Sequence, residues 1–174
     1  MTAHVPLQPT QTEHFQLRDG RRVLLRPVAP TDAPALAALC ERLSDASSRS
    51  RFFHAGRQLS PQEALQLAES DHTRNHAIVA LDADRVTALG TLHRLGNHPQ
   101  AELTLLVEDA YQGSGLGRHL LGRLIETARA RQYHLLLAEM LPDNARMLRL
   151  LESAGPPSIA DDYFGVLRVY LFLD

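Results

Sequence analysis

The stretch that most constrains the fold of this chain is Leu103-Thr-Leu-Leu-Val107-Glu-Asp-Ala-Tyr-Gln112-Gly-Ser-Gly-Leu-Gly117-Arg-His119. An apolar, β-prone run stops at Val107, four residues turn the chain, and glycines lead directly into a long amphipathic pattern. That pattern runs from Gly115 to about Arg131, with Leu116, Leu120, Leu121, Leu124, Ile125 and Ala128 on one helical face. Glycine permits positive φ and close approach of a bulky anion to the backbone. The first turn of the following helix leaves its N–H groups unpaired and carries about half a positive charge, so a phosphate fits there. Arg118 adds a fork of donors beside it.

Three kinds of phosphate loop compete for this pattern. A Walker loop ends in a lysine, and all 18 Lys and Arg residues here are arginine. The same absence removes Schiff-base chemistry and acylation of the chain's own lysines. A dinucleotide fingerprint needs a third glycine where Arg118 stands, three residues after Gly115. What is present is Q-x-x-G-x-G: Gln112, Gly115 and Gly117, with Val107 five residues before the glutamine.

Around this loop the chain reads as β, α, α, β, β, β, α, β, α, β, β. Arg22 to Pro27 is a first strand, and Asp32 caps a helix striped by Ala33, Leu36, Ala37, Leu39, Cys40 and Leu43. Ser44 to Arg51 is a polar break with a short helix around Arg51 to His54, and Ser60-Pro-Gln-Glu63 starts a helix expected to run to about Ser70. Strands follow at His76 to Leu81, Val86 to Leu95 and Ala101 to Val107. His134 to Met140 is a buried, partly parallel strand, Asp143 caps a helix ended by Gly155-Pro-Pro157, and Tyr163 to Leu173 forms a closing hairpin. One βαβ crossover among antiparallel strands defines an α/β (α+β) mixed sheet. Residues 1–19 are expected to be a flexible lead-in and 20–174 a single domain. A net charge of -2 gives no field toward nucleic acid or membrane, and no apolar run is long enough to span a bilayer. With one cysteine and no leader pattern, the expected location is cytoplasmic.

The Gln112–Gly117 loop and its leading Val107 resemble those of the GCN5-related N-acetyltransferase (GNAT) superfamily. Leu24-Arg-Pro27, Asp32, Leu43-Ser44, Ser48 and Arg51-Phe-Phe53 resemble the start of one branch, the catalytic domains of bacterial Pat-type protein-lysine acetyltransferases. Ala101-Glu102, Met147, Leu148 and the Val166–Leu171 ending fit the same branch, so the likeness covers about residues 20 to 174. It implies a mostly antiparallel sheet with helices on both faces and a strand pair splayed to take acetyl-CoA as co-substrate. Backbone groups of Leu105, Leu106 and Val107 would meet the thioester carbonyl and pantetheine. Gln112, Gly113, Ser114, Gly115, Leu116, Gly117 and Arg118 would hold the pyrophosphate, and the Asn144 side chain would touch the pantetheine. The reaction implied is acetyl transfer to a primary amine, a protein lysine in the Pat-type branch, with Glu102 as general base and Glu139 as second candidate. Many family members carry a tyrosine seven residues after the asparagine to protonate the leaving thiolate; Leu151 stands there. Water, Tyr163 or Tyr111 remain as acids. A small-molecule (polyamine or amino acid) acceptor, a non-catalytic CoA-binding module, and a homodimer stay open.

Other constellations carry less chemistry. His72 and His76 have a metal-pair spacing that a strand at His76 would spoil, so no metal is expected. Cys40 sits on an apolar stripe as a core residue. Arg49, Arg51 and Arg57 could meet a 3′-phosphate or an acidic substrate, and Asp161 and Asp162 could attract a cationic amine, but both sets are read as solvated loops.

Overall fold

Val23 and Leu25 are buried while Leu24 and Arg26 are half-buried, the period-two pattern of a strand with one core face. The same logic repeats across the chain in the computed structural model, which describes residues 12–53, 56, 58–69 and 74–173. The strands are β1 (Glu13–Gln16), β2 (Arg22–Pro27), β3 (Asn75–Asp82), β4 (Arg85–Arg94), β5 (Gln100–Val107), β6 (Leu135–Met140), β7 (Ser158–Tyr163) and β8 (Val166–Phe172). The helices are α1 (Ala33–Glu41), α2 (Asp45–Phe52), α3 (Pro61–Ala68), α4 (Leu116–Ala130) and α5 (Ala145–Glu152). All eight strands form one sheet, in the order β1-β2-β3-β4-β5-β6-β8-β7. Every pairing is antiparallel except β5 with β6, which α4 connects by the expected crossover.

Each face buries its own cluster. Leu92, Leu103, Leu120, Leu124 and Leu136 pack around α4, and Leu36, Leu39, Cys40, Val79, Leu89 and Leu106 pack under α1 and α3. Gly90 lets α4 approach β4 closely: a Cβ there would lie 2.8 Å from Leu124 Cδ1 and 3.0 Å from Leu120 Cγ.

Several boundaries differ from the sequence reading. β1 falls inside the stretch read as flexible lead-in: Phe15 packs on the α4 cluster, and Glu13 is within 2.9 Å of His119 and 3.2 Å of Arg123. The short helix expected around Arg51 to His54 instead begins at Asp45, because Ser44 caps it by accepting from Ser47 N. Its sequence has no apolar stripe: only Phe52, at its end, packs on the core, and polar ties hold its start. The last hairpin starts at Ser158, so Asp161 and Asp162 lie in β7, with Phe164 and Gly165 at positive φ in its turn. Residues 1–11, His54, Arg57 and the 70–73 segment with His72 lie outside the described residues.

Candidate active site

The β5–β6 pair opens into a fork. Their register runs Gln100–Leu135, Ala101–Leu136 and Glu102–Leu137 and stops there, although β5 continues to Val107 and β6 to Met140. Glu108 N donates to Thr87 O at 2.9 Å and Leu95 N to Gln100 O at 2.9 Å, which fixes the alternation along β5. Glu102, Thr104 and Leu106 therefore turn their backbone groups toward β4, while Leu103, Leu105 and Val107 turn theirs toward the fork. Of the three residues assigned to bind through backbone, Leu105 and Val107 can do so. Leu106 lines the fork, but its backbone pairs with Leu89 of β4.

A cleft of about 710 Å³ fills the fork and continues over the glycine loop. That is the size of a small-ligand pocket. Among residues expected at the site, Glu102, Glu139, Leu105, Leu106, Val107, Gln112, Gly113, Gly115, Gly117, Arg118 and Asn144 line it. Ser114 and Leu116 do not: Ser114 Oγ turns inward to the Tyr111 carbonyl, and Leu116, the first residue of α4, is fully buried in the core.

The loop has the shape an anion needs. Gly113 and Gly115 hold φ of +75° and +95°, and a Cβ on Gly113 would meet nothing within 4 Å. The first α4 amide to reach a helical carbonyl is His119, bonded to Gly115 O at 3.1 Å, so the amides of Gly117 and Arg118 precede the helical ladder. Arg18, Arg118, Arg146 and Arg149 all reach this end of the cleft. Arg118 donates to Ser153 Oγ at 2.9 Å, steadying its guanidinium against the end of α5. Arg18 is tied by its backbone to Ser114 O at 3.0 Å and lies beside Gly115.

Gln112 is a strut rather than a free ligand group. Its Nε2 donates to Ser47 Oγ at 2.9 Å and to Val107 O at 3.0 Å, and its Oε1 accepts from Arg146. Asn144, not Asp143, caps α5: its Oδ1 accepts from Met147 N at 3.1 Å, leaving its amide N–H groups for the cleft. Asp143 is instead ion-paired with Arg49 at 2.8 Å.

The two glutamates differ in company. Both stand on the sheet face that α1 and α3 cover elsewhere, Glu102 at the crotch of the fork and Glu139 further along β6. Glu139 Oε1 accepts from Arg168 Nε at 2.8 Å, and this hydrogen bond and charge raise the Arg168 pKa. The Glu102 carboxylate has no hydrogen-bond or ion-pair partner among the described residues. Neither candidate tyrosine lines the cleft. Tyr111 is buried and donates to Asp82 Oδ2 at 2.8 Å; burial, then this carboxylate, push its pKa up. Tyr163 lies under the Arg168 guanidinium, 3.8 Å from ring centre to Cζ. Among the described residues no cluster of three His, Cys, Asp or Glu side chains could hold a metal ion.

Sequence reasoning missed Arg18, Ser47, Arg146 and Arg149. None sits in a motif, and Ser47 and Arg18 reach the site only through the tertiary placement of α2 and the β1–β2 turn.

A mixed sheet forked at its single parallel pair, with a glycine loop opening the connecting helix, is the GNAT fold. Residues 22–156 match the acetyltransferase (GNAT) domain family model, and the chain belongs to that family. It is 34 % identical over 121 residues to an acetyltransferase of Pseudomonas aeruginosa, covering 65 % of this chain and 63 % of the relative. It is 30 % identical over 152 residues to acetyltransferase Pat of Mycolicibacterium smegmatis, covering 84 % and 45 %. The chain thus spans less than two thirds of these relatives' lengths. Among solved structures, the GNAT domain of S. lividans PAT superposes with a TM-score of 0.85 at 29 % identity, over 93 % of this chain and 97 % of that one. The yncA structure from Salmonella typhimurium, solved with its cofactor acetyl-CoA, superposes with a TM-score of 0.71 at 25 % identity, over 87 % and 94 %. No helix among the described residues is long and apolar enough to cross a membrane.

Proposed function

We propose that this protein transfers an acetyl group from acetyl-CoA to a primary amine, with Glu102 as the general base. The observation that carries this reading is the Glu102 carboxylate, without a hydrogen-bond or ion-pair partner among the described residues, at the crotch of a strand fork whose far end is a glycine-rich anion loop. Acetyl-CoA supplies a thioester whose acyl carbon an amine can attack. Amides at the start of α4, with Arg18 and Arg118, suit its pyrophosphate, and the fork-facing backbone of Leu105 and Val107 suits the pantetheine and thioester carbonyl.

A lysine-like amine of pKa about 10.4 is almost wholly protonated at neutral pH and must lose a proton before it attacks. Glu102 is placed to accept it, directly or through water. Glu139 is the weaker candidate because a guanidinium already occupies its carboxylate. With both tyrosines away from the cleft, solvent protonates the leaving thiolate. Likeness to Pat makes a protein lysine the first acceptor to test.

The test is CoA release, followed as free thiol, with a lysine peptide, a peptide amino terminus, a polyamine and free amino acids. Amine-dependent release that is lost in Glu102→Gln supports the reading. CoA binding without release for any amine would instead favour a non-catalytic CoA-binding module.

A further inference from the structure

The polar ties at the start of α2 lead to the anion loop. Asp109, in the turn between β5 and α4, accepts from Ser44 N at 3.0 Å, Ser44 Oγ at 2.6 Å and Ser47 Oγ at 2.8 Å. Ser47 Oγ in turn accepts from Gln112 Nε2 at 2.9 Å, and Gln112 reaches on to Val107 O and to Arg146 of α5. Burial opposes ionisation of Asp109, yet the hydrogen bonds from Ser44 and Ser47 outweigh it and hold the carboxyl below its usual range. Two residues further along, Arg49 of α2 pairs with Asp143 in front of α5. The other end of α2 forms a wall of the cleft near Glu102: Ser50, Arg51 and Phe53 line it, and Arg51 donates to Thr104 Oγ1 at 3.3 Å.

Beside the Ser44–Asp109 bonds, the Ser47 hydroxyl therefore joins Gln112, at the start of the loop suited to pyrophosphate, to the helix that walls the acceptor end. From this connection we infer that Ser47 is a positioning residue: filling of the Gln112–Gly117 loop is transmitted through Gln112 and Ser47 to α2, which sets the acceptor wall beside Glu102. The inference rests on the acetyl-CoA reading above. It gives the Gln112 side chain a task distinct from touching the ligand.

Ser47→Ala removes the Gln112–Ser47 link while keeping the Ser44 cap and the Ser44–Asp109 bonds and adding a better helix former. The probe is CoA itself, with amide hydrogen exchange of residues 45–53 read with and without it. In the wild type, CoA should slow exchange there by about threefold or more. In Ser47→Ala, CoA should still bind, but the CoA-dependent slowing should vanish, and Ser47→Thr, which keeps a hydroxyl, should restore it. With an accepted amine in hand, Ser47→Ala should raise its KM about three- to tenfold with kcat little changed, the size of one or two neutral hydrogen bonds. Unchanged CoA-dependent slowing in Ser47→Ala, or none in a wild type that binds CoA, overturns the inference. A wild type that binds no CoA overturns the parent reading, and the coupling with it.

Discussion

Arg168 donates from Nε to Oε1 of Glu139 at 2.8 Å, whereas Glu102, one strand away on the same sheet face, is left without such a partner among the described residues. Two carboxylates that look alike in sequence are thereby given different chemistry. Glu102→Gln keeps size and hydrogen-bonding capacity but cannot accept a proton. Turnover should fall by about 10²–10⁴ with acetyl-CoA affinity retained. The loss should shrink as pH rises toward the amine's own pKa, where solvent supplies the neutral nucleophile. Glu139→Gln should cost much less, because it breaks an ion pair beside the cleft rather than the base. The reverse pattern in a kcat–pH series would exchange the two roles.

Loop chemistry and fold stability should separate at Gly115. Its φ of +95° is one that side chains rarely adopt, and Arg18 Nε and Phe15 Cζ lie 3.7 and 3.8 Å from where a Cβ would stand. Gly115→Glu adds a negative charge at the helix start, where it competes with a phosphate for the positive end of the macrodipole and repels it. CoA affinity measured by calorimetry should be lost, while the ligand-free melting temperature drops modestly. Unchanged affinity would remove the loop from the site.

Binding should also stabilise. A ligand at ~100 times its Kd adds about 2.7 kcal/mol to the folded state, several degrees of melting temperature for a chain of this length. Acetyl-CoA should give that shift, and ATP and NAD at equal concentration should not. A larger shift with NAD would revive the dinucleotide reading that Arg118 argues against.

The core of this arrangement was legible because its signals are local. Val107, Gln112, Gly115 and Gly117 announce a strand end and a helix start, and the Ser60–Glu63 capping box places α3 without tertiary help. What was illegible depends on partners far along the chain. α2 lacks periodicity, and Asp109, about 60 residues later, fixes where it starts. β7 carries Asp161 and Asp162, poor strand formers, and is a strand because β8 pairs along its whole length. The same distance effect hid Ser47 and Arg18 from the site, and hid the guanidinium that distinguishes Glu139 from Glu102.

The pairing of Arg26 with Asp32 makes a pH prediction. Both carboxylate oxygens of the buried Asp32 accept from Arg26 at 2.7 Å, and one also accepts from Ala29 N at 2.8 Å. The Arg26 hydrogen bonds are the main cause of its lowered pKa, partly offset by burial. A carboxyl whose folded pKa lies below its unfolded value stabilises fully above about pH 4 and loses that contribution as pH falls through the folded value. Asp32→Asn should cost about 1–3 kcal/mol at pH 7, and the gap between variant and wild type should narrow below about pH 4. Urea denaturation at pH 7 and pH 3 measures both; an equal gap at the two pH values would show that the ion pair contributes nothing that titrates.

Gly90 offers the converse of Gly115. It lies mid-strand in β4, opposite Ile78 and Leu105, where its lack of a side chain admits Leu120 and Leu124 of α4, both fully buried. A Cβ at 2.8 Å from Leu124 Cδ1 and 3.0 Å from Leu120 Cγ would force those side chains to move within a packed layer. Overpacking of this kind costs about 1–3 kcal/mol, so Gly90→Ala should lower the melting temperature by several degrees. The contact lies one to two turns beyond the helix start that forms the anion loop, so CoA affinity at a temperature where the variant is folded should change by less than tenfold. Gly115→Glu and Gly90→Ala should thus fail in opposite assays. A Gly90→Ala protein as stable as wild type would mean that α4 can ride away from β4 freely; a tenfold or greater loss of CoA affinity would mean that the seat of Leu120 and Leu124 also sets the geometry of the loop.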